Sequence, residues 1–123
     1  MSEPIQPAKT RVKPLLRWPG GKLRLLKYLL PLIPGDAECY CEVFAGSAAV
    51  LLSKERHPVE VVNDLNGEIV ALMRNAHFHL PALMEEMSWY IASRTDLHDF
   101  NKQPGLTEIQ RAARFLLRNR ISF

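Results

Sequence analysis

Glu42-Val43-Phe44-Ala45-Gly46-Ser47 is the stretch that decides the fold. It closes a short apolar run, which predicts a strand from Cys39 to Phe44 and a tight turn over Ala45-Gly46-Ser47. Ser47 suits the N-cap position, so we expect a helix of small residues from Ala48 to Lys54. A second strand is predicted from Val59 to Val62. The order of strand, turn, helix and strand indicates a parallel α/β unit.

Helical periodicity flanks this unit on both sides. Leucines on one helical face predict a helix from Leu23 to Leu30, which the following Pro31 would end. On the other side, Asn66 can cap a helix that runs from Gly67 to about Ala76. Apolar residues at helical spacing then mark an amphipathic helix, and these are Leu80, Leu83, Met84, Met87 and Ile91.

The last third of the chain contains one polar stretch and one further helix. Ser93 to Gly105 is polar, and we predict little regular structure there. Thr107 can cap a last helix from Glu108 to about Asn119. We expect Arg111, Arg114 and Arg118, at spacings of three and four, to form one basic stripe on that helix.

Positive charge is segregated to the two ends of the chain, although the formal net charge is only +3. Seven basic residues without an intervening acid lie near the beginning: Lys9, Arg11, Lys13, Arg17, Lys22, Arg24 and Lys27. The acids collect in the middle. Segregated positive ends suit a polyanion such as DNA, but a solvated face with a basic tail would give the same pattern.

Composition places the chain among ordinary soluble domains. It has 123 residues, of which 47% are hydrophobic and 24% charged, enough for one modest domain. No apolar run approaches the roughly 20 residues that span a bilayer, and the polar beginning does not resemble a signal peptide. We therefore expect a cytoplasmic protein.

The predicted turn at Gly46 and an acidic residue after the second strand point to a ligand site. In open α/β folds, ligands bind beyond the carboxyl ends of the strands, where a glycine allows close approach to the backbone. Asp64 follows Gly46 at a separation along the sequence that is typical of a carboxylate that binds the hydroxyl groups of a ribose. This combination fits an adenosine-containing ligand without a phosphate, because the turn has only one glycine. An ordinary turn with a surface Asp is the alternative.

A second candidate motif is Arg17-Trp18-Pro19-Gly20-Gly21-Lys22. Two glycines free the backbone, Trp18 offers an aromatic face, and Lys22 offers a positive charge for a carboxylate or phosphate. The glycine spacing of a P-loop is absent. A buried Trp beside an ordinary turn is the alternative interpretation.

Together with Val62-Asn63-Asp64-Leu65-Asn66, these two motifs resemble the amino-terminal motifs of the Dam-type (alpha group) adenine-N6 DNA methyltransferases. The resemblance covers residues 14–120. It implies an α/β fold, with an incomplete Rossmann-like sheet of an S-adenosylmethionine-dependent methyltransferase and the start of a helical DNA-recognition region. We therefore expect a flexible basic arm at 1–13, a cofactor-binding part at 14–77 and the beginning of a target-recognition region at 78–123.

The resemblance also implies roles for individual residues. Five positions match those that line the S-adenosylmethionine site in the family, with Asp64 holding the ribose: Trp18, Lys22, Phe44, Gly46 and Asp64. Four arginines match positions facing double-stranded DNA: Arg17, Arg114, Arg118 and Arg120. Val43 departs from the usual Pro, and Ala48 from a frequent Gly.

The family's catalytic tetrapeptide, Asp/Asn-Pro-Pro-Tyr/Phe, does not occur, since no two prolines are adjacent. That element stacks on a flipped-out adenine and accepts its amino hydrogens. We therefore expect a truncated form without activity of its own. Two alternatives stay open: a non-catalytic remnant that binds cofactor or DNA, and one half of a split enzyme whose second chain carries the missing motif. Half of a nucleotide-binding oxidoreductase is a weaker third.

Overall fold

The computed structural model describes residues 13–91 and 93–122. They form two compact units, the first ending at Leu65 and the second beginning at Asn66. The predicted arm lies outside the described residues apart from Lys13. The assignment of cofactor binding to 14–77 and of target recognition to 78–123 stays a prediction.

The first unit contains a parallel pair of strands, as the sequence predicted. Strand β1 (Cys39–Glu42) pairs with β2 (Val59–Val62) in a register that joins Cys39 to Val59 and Glu42 to Val62. The predicted β2 is confirmed at both ends, whereas β1 ends two residues earlier than expected. Among the described residues this is a mixed α/β arrangement with a two-stranded sheet.

The prediction that Ser47 caps the helix after β1 is wrong. Helix α2 (Ala49–Ser53) is preceded by Ala48, which has a left-handed φ of 54° and provides no capping side chain. Gly46 also has a left-handed φ, of 52°, and the Ala48 amide donates to the carbonyl of Ala45 at 2.8 Å. The turn therefore extends through Ala48 and buries Ser47, so the helix begins one residue late.

The predicted helix from Leu23 to Leu30 is replaced by three short helical segments. They are a 3-10 helix (Lys22–Leu25), helix α1 (Leu26–Leu29) and a second 3-10 helix (Leu30–Leu32). Neither of the first two segments has a side-chain cap, and Pro31 stands within the last one. Because Pro31 lacks an amide proton and crowds the preceding turn, it favours the end of α1 at Leu29 and the change to a 3-10 segment.

The second unit is helical. It consists of α3 (Gly67–Phe78), α4 (Leu80–Ser88), α5 (Arg94–Lys102) and α6 (Glu108–Ile121), and α6 packs against the other three. The small residues Ala112 and Ala113 are fully buried on α6, which lets its backbone approach its neighbours closely. Larger buried side chains complete this core, and these are Ile69, Leu72, Leu83, Phe100, Phe115 and Leu116.

Side-chain caps explain where these helices begin. The predicted caps Asn66 and Thr107 are confirmed, since Asn66 Oδ1 accepts from the Glu68 amide at 3.0 Å and Thr107 Oγ1 from the Gln110 amide at 3.1 Å. The predicted irregular connection from Ser93 to Gly105 is wrong, because most of it is α5. Ser93 Oγ accepts from the Asp96 amide at 3.1 Å and starts that helix.

The prediction of an amphipathic helix from Leu80 to Ile91 is confirmed only in part, by helix α4. Leu83 is buried, but the helix ends at Ser88, and Ile91 lies beyond it with 82% of its surface exposed. No helix of the described residues has the length and apolar character needed to cross a membrane.

Candidate functional site

The loop before the first helical segments is a hydrogen-bonded turn. The Gly21 amide donates to the Trp18 carbonyl at 3.0 Å, with Pro19 and Gly20 at the two central positions. Gly20 has a φ of 74°, which the third position of a type II turn requires and which glycine adopts without strain. A Cβ on Gly21 would lie 3.1 Å from the Trp18 oxygen. The Pro-Gly-Gly sequence thus fixes the direction in which the chain leaves Trp18.

Lys22 follows this turn and reaches back to the end of β1. Its Nζ donates to the Phe44 carbonyl at 2.5 Å and lies 3.3 Å from Glu42 Oε1. The Glu42 side chain is only 4% exposed, whereas that of Lys22 is 32% exposed. The ammonium group therefore has a buried carboxylate on one side and access to solvent on the other.

Glu42 also holds the start of α2. Its Oε2 accepts a hydrogen bond from the Leu51 amide at 3.0 Å. Leu51 lies in the first turn of a helix whose N-cap residue, Ala48, offers no side-chain acceptor. A carboxylate suits such an amide, because the first amides of a helix lack partners within the helix. One buried side chain thus connects the Lys22 loop to α2.

Trp18, Gly46 and Asp64 come together beyond the carboxyl ends of the strands. The Gly46 amide donates to Asp64 Oδ2 at 2.9 Å. A Cβ on Gly46 would lie 3.1 Å from Trp18 Cδ1, so the indole ring packs against this turn. The three residues belong to separate sequence motifs, and the fold places them at one end of the sheet.

Hydrogen bonds between the loops after β1 and β2 hold this arrangement. The Asn63 amide donates to the Glu42 carbonyl at 2.8 Å, and the Ala45 amide donates to the Asn63 carbonyl at 3.0 Å. The Asn63 side chain adds a hydrogen bond from Nδ2 to the Val43 carbonyl at 3.0 Å. Phe44 remains 76% exposed at the edge of the turn. The strand pairing therefore continues into the loops and orders their backbone.

A cavity of about 330 Å³ lies beside Lys22 and Phe44. Its other lining residues come from the helical segments, β1 and α2: Leu29, Leu32, Ile33, Tyr40, Cys41, Glu42, Val43 and Val50. Burial, and secondarily the charge of Glu42, raises the pKa of Tyr40 to about 12, so its hydroxyl is protonated at neutral pH. Of the five predicted cofactor residues, Lys22 and Phe44 line this cavity, while Trp18, Gly46 and Asp64 meet at the neighbouring turn.

The four arginines predicted to face DNA differ in their surroundings. Arg17 and Arg120 are exposed. Arg114 donates from Nε to the Tyr90 hydroxyl at 3.1 Å and from Nη1 to the Gln103 carbonyl at 2.9 Å, and its guanidinium lies 5.1 Å from the centre of the Phe100 ring. These contacts tie α6 to the segments flanking α5. The role of each arginine toward DNA stays a prediction.

Arg118 belongs to an ion pair within the second unit. Its Nη2 donates to Glu68 Oε2 at 2.9 Å, connecting α6 to the first turn of α3. Arg111 is exposed, so the predicted basic stripe combines one exposed arginine with two that are held by protein groups.

A buried polar cluster lies at the opposite, amino-terminal end of the sheet. The fully buried Lys54 side chain contacts Glu60 Oε1, the Glu55 carbonyl at 3.0 Å and His57 Nδ1 at 3.1 Å. His57 Nε2 lies 3.0 Å from the Pro34 carbonyl, so we assign the ring proton to Nε2. Burial alone would raise the pKa of Glu60, but hydrogen bonds from Lys54 and from the His57 amide lower it overall.

The sequence did not predict the ion pairs that Glu42, Glu68 and Lys54 form in the structure. Glu42 gave a usable signal, since an acid inside the apolar run from Cys39 to Phe44 must find partners if that run is buried. The partners themselves, Lys22 and the Leu51 amide, depend on tertiary packing and have no signature in spacing. The sequence similarly gives no sign that Glu68 and Arg118 meet.

Comparison with known proteins gives a consistent result. Residues 18–123 match the family described as D12 class N6 adenine-specific DNA methyltransferase. The chain is similar to type II methyltransferase M1.LlaDCHI of Lactococcus lactis, with 26% identity over 97% of the chain and 44% of that relative. It is also similar to type II methyltransferase M.MjaIII of Methanocaldococcus jannaschii, with 27% identity over 91% of the chain and 46% of the relative.

A third relative matches a shorter part of the chain. This is the DNA adenine methylase of Haemophilus influenzae, with 29% identity over 63% of the chain and 27% of the relative. The chain spans less than half of the length of each of these three proteins.

Proposed function

The chain belongs to the D12 class of N6 adenine-specific DNA methyltransferases, and from that premise we propose that its first unit binds S-adenosylmethionine. The binding residues are the five that the sequence singled out, namely Trp18, Lys22, Phe44, Gly46 and Asp64. The observation that carries the proposal is the Gly46–Asp64 hydrogen bond with the Trp18 ring packed on the same turn.

The chemistry of these groups fits an adenosine-containing methyl donor. The Asp64 carboxylate, oriented by the Gly46 amide, can accept hydrogen bonds from ribose hydroxyls. Lys22 can meet the carboxylate of the amino-acid part, and Trp18 and Phe44 offer aromatic surface. The turn has one glycine and therefore little room for a pyrophosphate. When bound, the cofactor would supply an electrophilic methyl group, and these residues would fix its orientation.

The two strands fit a larger parallel sheet. Val59 and Val61 on β2 are 52% and 43% exposed, although parallel strands are ordinarily covered on both faces. We propose that the pair is part of the Rossmann-like sheet of an S-adenosylmethionine-dependent methyltransferase. The exposed valines support this interpretation, because they are surfaces that further structure would cover.

For the whole protein we propose methyl transfer from S-adenosylmethionine to N6 of adenine in double-stranded DNA. Residues 1–123 contain no adjacent prolines and therefore no Asp/Asn-Pro-Pro-Tyr/Phe element. They would supply the donor side of the reaction, and we expect no methyl transfer from these residues alone. Incorporation of labelled methyl groups into adenine-containing DNA by the purified chain would contradict that expectation.

DNA contact is assigned to the arginines at the two ends of the chain, Arg17, Arg114, Arg118 and Arg120. The charge distribution supports this proposal, and Arg17 and Arg120 are exposed to solvent, as a phosphate contact requires. Arg114 and Arg118 would in addition stabilise the packing of α6 through Tyr90 and Glu68.

Calorimetric titration with S-adenosylmethionine and with NAD tests the proposed ligand. We expect saturable binding of S-adenosylmethionine and much weaker binding of NAD, because the turn does not provide the backbone approach that a pyrophosphate needs. Tighter binding of NAD would favour a nucleotide-binding oxidoreductase and contradict the proposal. Absence of binding by either ligand, in a chain shown to be folded by circular dichroism, would contradict it too.

A further inference from the structure

Glu42 has contacts that cofactor binding alone does not explain. It is 4% exposed, and each of its two carboxylate oxygens has a donor within hydrogen-bonding distance. The Leu51 amide fixes one oxygen, and the Lys22 ammonium lies 3.3 Å from the other. The negative charge is therefore held in one place, beside the Lys22 cation, and both residues line the cavity.

The methyl donor and its product differ in charge. S-adenosylmethionine carries a sulfonium, an ammonium and a carboxylate, for a net charge of +1 at neutral pH. S-adenosylhomocysteine has lost the methyl group and the sulfonium charge, and its net charge is zero. A change of one unit in the charge of the site therefore alters the affinity for the donor much more than the affinity for the product, and a more positive site disfavours the donor relative to the product.

We propose that Glu42 is a specificity-determining residue that neutralises Lys22, so that the site does not disfavour the cationic methyl donor relative to the neutral product. The inference rests on the proposed function. Its physical basis is that a buried charge interacts through a lower effective dielectric than an exposed one. The carboxylate of Glu42 therefore interacts appreciably with the charges of a ligand bound beside Lys22. The fixed carboxylate also holds Lys22 in place for the carboxylate that donor and product share.

The test is the ratio of the dissociation constants for S-adenosylmethionine and S-adenosylhomocysteine. Glu42→Gln keeps the size of the side chain and removes its charge. We expect this substitution to shift the ratio about fivefold toward the product. Lys22→Met should shift the ratio the other way, because the negative charge of Glu42 is then no longer offset by Lys22. The double variant should return the ratio close to that of the unsubstituted chain, although both ligands would bind less tightly.

The ratio of the two dissociation constants distinguishes a role of Glu42 in ligand specificity from a purely structural role. A partly unfolded population lowers both apparent affinities by the same factor, which cancels in the ratio. If Glu42→Gln weakens both ligands equally, Glu42 has only a structural role and the proposal is overturned. Should Glu42→Gln fail to fold, Lys22→Met decides, since an unchanged ratio in that variant overturns the proposal as well.

The outcome also separates this inference from the proposed function. If the unsubstituted chain binds neither ligand, the proposed function fails and takes the inference with it. If it binds both and the ratios do not respond to the Lys22 and Glu42 substitutions, only the inference fails.

Discussion

The Gly46 amide donates a hydrogen bond to Asp64 Oδ2 at 2.9 Å, which joins the turn after the first strand to the residue that follows the second. The parallel register brings the two loops side by side, and Trp18 packs against the same glycine. Residues from three separate sequence motifs therefore meet at Gly46. This is the arrangement on which the proposed cofactor site depends.

Gly46→Ala is expected to destabilise the first unit by about 1–2 kcal/mol. The left-handed φ of 52° is unfavourable for alanine, and the new Cβ would lie 3.1 Å from Trp18 Cδ1. Urea denaturation monitored by tryptophan fluorescence measures the change, and the indole emission of the folded protein should shift because the ring must move.

Gly67→Ala is the matched control for that substitution. Gly67 is the first residue of α3, and a Cβ there would meet no atom within 4 Å among the described residues. Alanine favours the helix, so stability should stay the same or rise slightly. If both substitutions lowered the free energy of unfolding equally, the turn at Gly46 would have no particular requirement for glycine.

Glu60→Gln is expected to destabilise the protein by about 2 kcal/mol near neutral pH, because it leaves the buried Lys54 ammonium without its carboxylate. Since the pKa of Glu60 in the folded protein lies below its ordinary value of 4.5, its contribution is complete above that value. The contribution is lost as the pH falls through the lowered folded pKa. Denaturation curves from pH 7 to pH 3 measure the difference between the two proteins.

The exposed Glu55, which lies between α2 and β2, provides the control, since Glu55→Gln makes the same chemical change. We expect Glu55→Gln to leave both stability and its pH dependence nearly unchanged. A stability difference for Glu60→Gln that grows below pH 4 would have the wrong sign for a carboxylate with a lowered pKa.

Ser93→Ala is expected to destabilise α5 by about 1 kcal/mol, because it removes the capping oxygen for the Asp96 amide. Hydrogen exchange should accelerate at the amides of Arg94–Lys102 before it does elsewhere in the second unit. Ser122→Ala, after α6, is the control and should leave these amides unchanged. Unaltered exchange in Ser93→Ala would contradict the capping role.

Arg120→Gln is expected to weaken DNA binding and to reduce the slope of log affinity against log salt concentration by about 1. Arg120 is exposed near the end of α6 and can reach a phosphate. Fluorescence anisotropy with a duplex at several salt concentrations gives the slope. Arg94→Gln removes an exposed charge from α5 outside the predicted set, and an equal reduction there would show that net charge alone is responsible.

The sequence predicted the parts of the fold that depend on local pattern. The valine-rich strand from Val59 to Val62 and the caps Asn66 and Thr107 are where the sequence predicts them, because strand propensity and capping act over a few residues. The segment from Ser93 to Gly105 was missed because its polarity conceals a helix that buries only Phe100. Ser47 was misplaced because the left-handed conformation of Ala48 follows from tertiary packing of the turn, which spacing does not show.

The same distinction applies to the candidate site. Trp18, Gly46 and Asp64 were selected from their motifs, and the structure brings them together. Glu42 is the first residue of the Glu42–Ser47 motif, but its partners, Lys22 and the Leu51 amide, lie in other parts of the chain. Arg114 was selected for its charge, whereas its contacts with Tyr90 and Gln103 could not be inferred from helical spacing.

Calorimetric titration of Asp64→Asn with S-adenosylmethionine tests whether Asp64 and the Gly46 turn bind this cofactor. Asparagine retains an acceptor for the Gly46 amide but loses the charge and one acceptor oxygen. We expect an affinity about tenfold lower for Asp64→Asn and an unchanged affinity for Asp36→Asn, which alters an exposed aspartate before β1. Equal affinities for Asp64→Asn and the unsubstituted chain, with both folded, would contradict this expectation.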